Sequence, residues 1–305
     1  MLAFLLVAVA GLNPPALPPR TEPDAWSRLP RENPPLPRWA RVLVGPLPKT
    51  TARLLELENL HRAENPLGAV LAGKVHWAVA DALGSSPGRA TADADLKRAG
   101  AGRNAGTAAE KLAVAFARRL TLEGHAITDR EFAAVLRAFG PEKTTALVHT
   151  IAYANFHNRL VLGLGAVGDP VPPLAVKFDA DGLARVPVPP RPPWDDLKTV
   201  TARGLSVRVE WSKADADQLA RTVELQKERP LRIPLPDPER LAGLVGREKE
   251  QAERIIWMTV SMGYQPRLTR AWFAALNAFY EEAQPDRVFT NSTFWVVTRT
   301  NDCFY

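Results

Sequence analysis

Apolar residues recur at helical spacing along two stretches of this 305-residue chain, roughly 50–165 and 238–280, and the pattern lapses between them. The clearest start signal is Thr128-Asp129-Arg130-Glu131, a capping box in which threonine and glutamate satisfy each other's free backbone donors. Phe132, Val135, Leu136 and Phe139 follow on one face. Gly140-Pro141 ends that helix, and the proline opens the next at its first turn. The second helix carries Leu147, Val148, Ile151, Phe156 and Leu160, an apolar arc too wide for a surface helix, which predicts a central position. A further helix is predicted over 108–120, with Leu112, Ala115, Phe116 and Arg119 in register. Strands and helices do not alternate, so the predicted class is all-α.

Proline divides the chain. Eleven prolines fall between residues 13 and 48 and eight between 169 and 194. Proline supplies no N–H to a helix or ladder and favours extended chain. The first tract reads as a tether or a strap over the first helical unit, the second as a boundary. Lys177-Phe178-Asp179-Ala180-Asp181-Gly182 suggests a tight turn between two short strands, and residues 206–211 alternate like an isolated strand. The resulting layout is an apolar segment 1–12, a tether 13–49, a helical unit 50–165, a linker 166–237 and a second helical stretch 238–305.

Composition narrows the options. A 46% hydrophobic share supports a packed core, and a formal charge of +6 without a basic aromatic-interleaved stripe argues against nucleic-acid binding. The single cysteine excludes an intrachain disulfide and a cysteine-rich zinc site. Residues 2–9 are unbroken apolar and end in Ala8-Val9-Ala10, like a signal-peptide core with its small-residue cleavage site, although no Lys or Arg precedes them. Export to the periplasm or cell envelope is the expectation, with a cytoplasmic protein and a packed or frayed N-terminus as the alternative. The run is far short of the ~20 residues of a membrane span.

The C-terminal residues Thr298-Arg299-Thr300-Asn301-Asp302-Cys303-Phe304-Tyr305 follow an apolar run, and the string Asn155-Phe156-His157-Asn158-Arg159-Leu160 lies in the first unit. Together these resemble the alkyl hydroperoxidase D and carboxymuconolactone decarboxylase family, over about 55–165 and 245–305. In that family an Arg- and Asn-containing turn precedes Cys-x-x-Cys at a helix start, with a histidine four residues beyond. Cys303 matches the first cysteine; the second would fall one residue past Tyr305. Aligning Trp295 on Trp77 gives an offset of 218 that also pairs Asn277 with Asn59. The resemblance therefore implies one complete but degenerate repeat and a second cut at its redox motif. Cys303 falls on Ser85 of the first copy, and the missing cysteine on Gly88.

The implied chemistry is thiol-dependent reduction of a hydroperoxide at the expense of a thiol reductant, without metal or cofactor. A thiolate becomes a sulfenic acid, and a second thiol condenses with it. A helix N-terminus and a histidine lower the thiol pKa. The resemblance makes Cys303 the resolving thiol. It also puts Asn291 at the position of a proton-relay glutamate, and Gly73 there in the first copy. Because the partner thiol is absent the chain as it stands is expected to be inactive, and since an asparagine cannot take a proton even a completed site would depart from the family pattern. The rival reading is a non-enzymatic helical binding or assembly module, with a homo-oligomer open to both; a cofactor-free lactone decarboxylase would keep the fold without cysteines.

Other residues read as structural. His149 and His157 share a helix but stand too far apart for a metal pair. Arg159 reads as a salt-bridge or cap partner, and His61, Lys74 and Trp77 as ordinary core or surface positions. Gly163-Leu164-Gly165-Ala166-Val167-Gly168 has dinucleotide-fingerprint spacing but ends a helix rather than following a strand. Ser85-Ser86 has no nucleophile elbow around it.

Overall fold

The computed structural model describes residues 18–29, 35–104, 106–188 and 231–300, and its regular structure is helical, with no strand among them. Two short helices, α1 (Glu22–Ser27) and α2 (Arg38–Leu43), already lie within the proline-rich tract. Then come α3 (Pro48–Arg62), α4 (Ala69–Ala82), α5 (Ser86–Arg98), α6 (Ala108–Glu123) and the long α7 (Asp129–Gly163). After α8 (Ala180–Ala184), a 3-10 turn (Pro238–Leu241) leads into α9 (Gly246–Arg254), α10 (Ile256–Tyr264), α11 (Pro266–Ala283) and α12 (Arg287–Thr300).

Local chemistry fixes the helix ends. Thr128 Oγ1 accepts from the Glu131 amide, and the Glu131 carboxylate accepts from the Thr128 amide, as the sequence predicts. An equivalent box joins Thr107 and Glu110 at the start of α6. At Gly140 the backbone turns to φ 70°, ψ 170°, which glycine adopts at little cost, so α7 is two helices meeting at a kink before Pro141. The 108–120 helix extends to Glu123, and its buried stripe is Ala113, Phe116 and Ala117; Ala115 faces solvent.

The second half of α7 is the centre of the molecule. Its Leu147, Ile151 and Ala154 join Val75, Phe116 and Val135 in one apolar cluster. Tyr153, Phe156 and Leu160 belong to a second cluster with Trp39, Leu55 and Leu57. Leu147, Ile151 and Phe156 are at most 1% exposed, in line with the wide apolar arc. Parts of both proline-rich tracts pack into the core: Trp26 and Trp39 of the first and Leu174, Phe178 and Leu183 of the second are buried in the same cluster. The turn between strands expected at 177–182 is instead the start of α8, because the Asp179 carboxylate accepts from the Gly182 amide and caps a helix there. The strand expected at 206–211 lies outside the described residues.

Helix α11 packs along α3 in antiparallel sense. The first turn of α3 has no cap of its own, and Glu282, near the end of α11, provides one. Its Oε1 accepts from the Lys49 amide at 2.7 Å, and its Oε2 from the Thr50 amide and hydroxyl at 2.8 and 2.7 Å. At the opposite end Arg267 of α11 pairs with Glu64. Phe156 meets Trp272 edge-on at 5.3 Å, and His149 Nε2 lies 3.3 Å from Ser261 Oγ. Helices α10 and α11 are thus fastened to the first unit. Shifted by 218 residues, Pro48 falls on Pro266, the first residue of α11, and 69–82 falls on 287–300, the bounds of α12. The same shift turns the pair Lys49 and Glu282 into Arg267 and Glu64, and Thr51 bonding back to Leu47 O into Thr269 bonding back to Gln265 O.

Candidate functional site

One face of α3 carries Glu58, His61 and Arg62 at i, i+3 and i+4, so all three enter the bundle together. Each is under 7% exposed. Helix α7 presents Tyr153, His157 and Asn158 to them, α4 adds His76, and α5 adds Asp95. Arg62 is the hub: Nη1 reaches Glu58 Oε1 at 2.7 Å, Nε and Nη2 grip the two oxygens of Asp95 at 2.8 and 2.9 Å, and Nη2 also donates to Val171 O at 2.8 Å. Such a bidentate, fully bonded arrangement offsets the desolvation of a buried charge. Burial works against the guanidinium charge, but Glu58 and Asp95 hold its pKa above the ordinary arginine value.

Around this hub the rings stack. His61 lies flat on Tyr153 at 4.3 Å, His157 stacks on Tyr153 at 5.5 Å, His76 approaches at 5.8 Å, and Trp39 meets His157 edge-on at 5.8 Å. Burial dominates their protonation. It drives the His61 pKa well below the imidazole value, with His76 and His149 adding to the effect. It takes His76 to about 4, Arg62 and His157 reinforcing it and Asp95 opposing it. It lowers His157 against the pull of Glu58, and it raises Tyr153 well above its ordinary value. At neutral pH the site therefore holds neutral imidazoles and a protonated phenol around a charged arginine. His157 Nε2 stands 3.6 Å from Glu58 Oε1, beyond hydrogen-bond reach.

The cluster opens on a small cleft whose walls include Arg38, Trp39, Glu58, Gly88, His157 and Asp169. The Gly88 wall is the first turn of α5, where Ser85 is the N-cap and its Oγ accepts from the Gly88 amide at 3.2 Å. The positions that the resemblance equates with the two cysteines thus lie at a helix start, and Gly88 lines the cleft. A Cβ at Gly88 would land on Asn158 Oδ1 and 2.9 Å from Ala80 Cβ, so no thiol fits there without displacing Asn158. A Cβ at Gly73 would meet Leu96 at 2.9 Å, which leaves no room for a glutamate.

The other predicted residues are scattered. Asn291 is exposed on α12, and Cys303 lies outside the described residues. His149 faces Ser261 and shares no site with His157. Arg159 donates to Asn155 Oδ1 on its own helix at 2.7 Å, an amide in place of the carboxylate or helix end expected. Lys74 is buried and pairs with Glu110 at 2.7 Å; that bond, with the Thr107 and Gly106 amides, holds the Glu110 carboxyl down at about 2. Trp77 lies under Arg103 and Arg118 at 5.2 and 5.9 Å. Among the described residues no group of three or more acidic, histidine or cysteine side chains is arranged to hold a metal ion, and no helix is long and apolar enough to cross a membrane.

No protein-family model, curated protein or solved structure matches the chain. Sequence reasoning missed Glu58, Arg62, His76, Asp95 and Tyr153. The available signal was the helix predicted to be central: His157 and Asn158 sit inside its apolar arc, and a polar pair there requires polar partners from its neighbours.

Proposed function

We propose that this chain is of thiol-dependent peroxidase ancestry, akin to the alkyl hydroperoxidase D and carboxymuconolactone decarboxylase family. In this reading it is built from two related helical units, with its thiol chemistry confined to Cys303. The observation that carries the reading is the setting of Ser85, the N-cap of α5; Gly88, three residues on, has no room for a thiol while Asn158 stays in place. A helix start beside a histidine and a carboxylate is the kind of place that makes a thiol reactive. In the first unit that place holds serine and glycine. The matching bounds of α3 with the start of α11, and of α4 with α12, support the two-unit part of the reading. With Cys303 the only thiol, a sulfenic acid has no intrachain partner, and Asn291 supplies no proton relay. With no thiol reductant present, the chain should reduce at most one hydroperoxide per Cys303 and then stop. Sustained turnover that survives Cys303→Ser would place the activity elsewhere. The apolar segment 2–9 supports a cell-envelope location on the same reading.

A second reading, a non-enzymatic binding module, is favoured by one feature. Four residues of the cleft wall, Arg38, Trp39, His157 and Asn158, carry buried side-chain atoms with no hydrogen-bond partner.

A further inference from the structure

The 218-residue shift that relates α3 to α11 and α4 to α12 reaches one helix further back. It places Arg38, the first residue of α2, on Ile256, the first residue of α10. It also pairs Trp39 with Trp257, Val42 with Val260 and Gly45 with Gly263. The two helices are seated alike on their inner faces: Ala40 and Val42 are buried in α2, and Met258 and Val260, at the same positions, are buried in α10. The tryptophans differ. Trp39 is 3% exposed and Trp257 is 54% exposed.

A helix covers Trp39. It meets His157 of α7 edge-on at 5.8 Å and lies in the cluster that holds Tyr153, Phe156, Leu160 and Val161 of the same helix. Among the described residues no helix closes over Trp257 in that way. Its ring stacks on Phe273 of α11 at 6.1 Å, and its neighbours Ile255 and Ile256 are 38% and 57% exposed. Phe273 stands where α3 has the fully buried Leu55. Single exposed apolar residues are ordinary, but three in succession beside an aromatic stack form a patch.

Area and charge narrow the occupant. Two copies meeting through this patch would bury on the order of 600 Å², the range of a lattice contact and below the roughly 1,200 Å² of a stable pair. Nor can a second copy lend its α7, whose apolar stripe is buried in its own first unit. A bilayer surface is disfavoured because no basic excess borders the patch: α9 has three basic and three acidic residues, and Arg270, one turn before Phe273, is paired with Glu248. A helix with the stripe of α7 matches what the first unit already places on the equivalent surface.

We propose that Ile255, Ile256, Trp257 and Phe273 form the seat of an amphipathic helix of a partner polypeptide. That helix carries aromatic and aliphatic side chains at the spacing of Tyr153, Phe156, Leu160 and Val161. The proposal rests on the two-unit part of the reading above and uses no thiol, so the full chain carrying Cys303→Ser tests it apart from the peroxide chemistry.

The probe is a peptide of residues 141–164 with lysine tails. A lactam between positions 155 and 159, which already face each other as Asn155 and Arg159, keeps it helical. A peptide of α6, residues 108–123, is the comparison. The eight tryptophans are replaced by 5-fluorotryptophan and followed by fluorine NMR, with Trp257 assigned through Trp257→Phe. The α7 peptide should shift the Trp257 signal saturably and leave Trp39, whose seat is filled, unmoved. Ile256→Asp should weaken that binding about tenfold or more and leave the denaturation midpoint level, because the side chain is exposed. A Trp257 signal that neither peptide moves would overturn the seat and leave the two-unit reading standing. Equal shifts from both peptides would mean a generic apolar patch, against the proposal and the repeat alike. A signal that answers only to dilution of the chain, or only to phosphatidylcholine vesicles, would give the surface to a second copy or a bilayer and overturn the proposal too.

Discussion

His76 ties the buried site to a measurable acid sensitivity. Its ring lies among Tyr153, Arg62 and His157, with Asp95 the one acidic group pulling its pKa upward, and Nε2 has no partner. Burial takes its pKa from 6.5 to about 4 in the folded chain. Between these values the unfolded chain binds the proton and the folded chain does not, so protonation favours unfolding. The stabilisation is present above about 6.5 and is lost as pH falls towards about 4. Integrated from about pH 7 to about pH 5, this one histidine removes about 2 kcal/mol, a sizeable part of the ~5–15 kcal/mol that holds a domain folded. His61 and His157, lowered in the same way, add to the loss. The assay is urea unfolding at both pH values for the native chain and His76→Gln, whose amide does not titrate. The native chain should lose about 2 kcal/mol more than the variant over that interval. Carboxylates common to both chains cancel in the difference. Equal pH dependence would mean that His76 is not held neutral in the folded site, and the electrostatic account of the cluster would fall with it.

Three further outcomes follow from the packing. Glu282→Ala should cost about 2–3 kcal/mol by uncapping the first turn of α3, and Glu282→Gln less because one carbonyl acceptor remains; an unchanged unfolding midpoint for the alanine variant would refute the remote cap. Gly88→Ala should cost about 1–3 kcal/mol through its collision with Asn158, and most of that should disappear in Gly88→Ala/Asn158→Ala; additive costs in a double-mutant cycle would show that the two positions do not meet. Residues 245–305 expressed alone should be disordered or aggregated, since α11 buries its apolar face on α3 and α7; a sharp cooperative transition from the isolated segment would contradict this.

The helical class, the Thr128 cap, the break at Gly140-Pro141 and the burial of the 146–160 helix were legible because each rests on local chemistry or on a periodicity within one element. The α8 cap at Asp179 was misread because a short acidic Gly-containing segment fits a hairpin turn and a helix start equally well. Proline could not decide between a tether and a strap for the first tract, because it reports the lack of regular hydrogen bonding and says nothing of burial; Trp26 and Trp39 there, and Phe178 in the second tract, are the apolar anchors. The polar cluster was invisible for a different reason. Glu58, Arg62 and Asp95 come from two helices and His76, Tyr153 and His157 from two more, so no spacing along the chain records their meeting. Glu282 capping α3 across 233 residues is the same kind of fact.

The reading of thiol-peroxidase ancestry is tested most directly by the fate of Cys303 under limiting hydroperoxide, followed by intact-mass and peptide mass spectrometry with a sulfenic-acid trap. The account predicts at most one trapped oxidation per chain, confined to Cys303; with the trap omitted, the sulfenic acid of one chain condenses with the thiol of a second and releases water, so one peroxide is consumed per disulfide-linked pair and none beyond that. A Cys303 that stays reduced while a simple free thiol in the same tube is oxidised, or peroxide consumption that continues with Cys303 untouched, would contradict it.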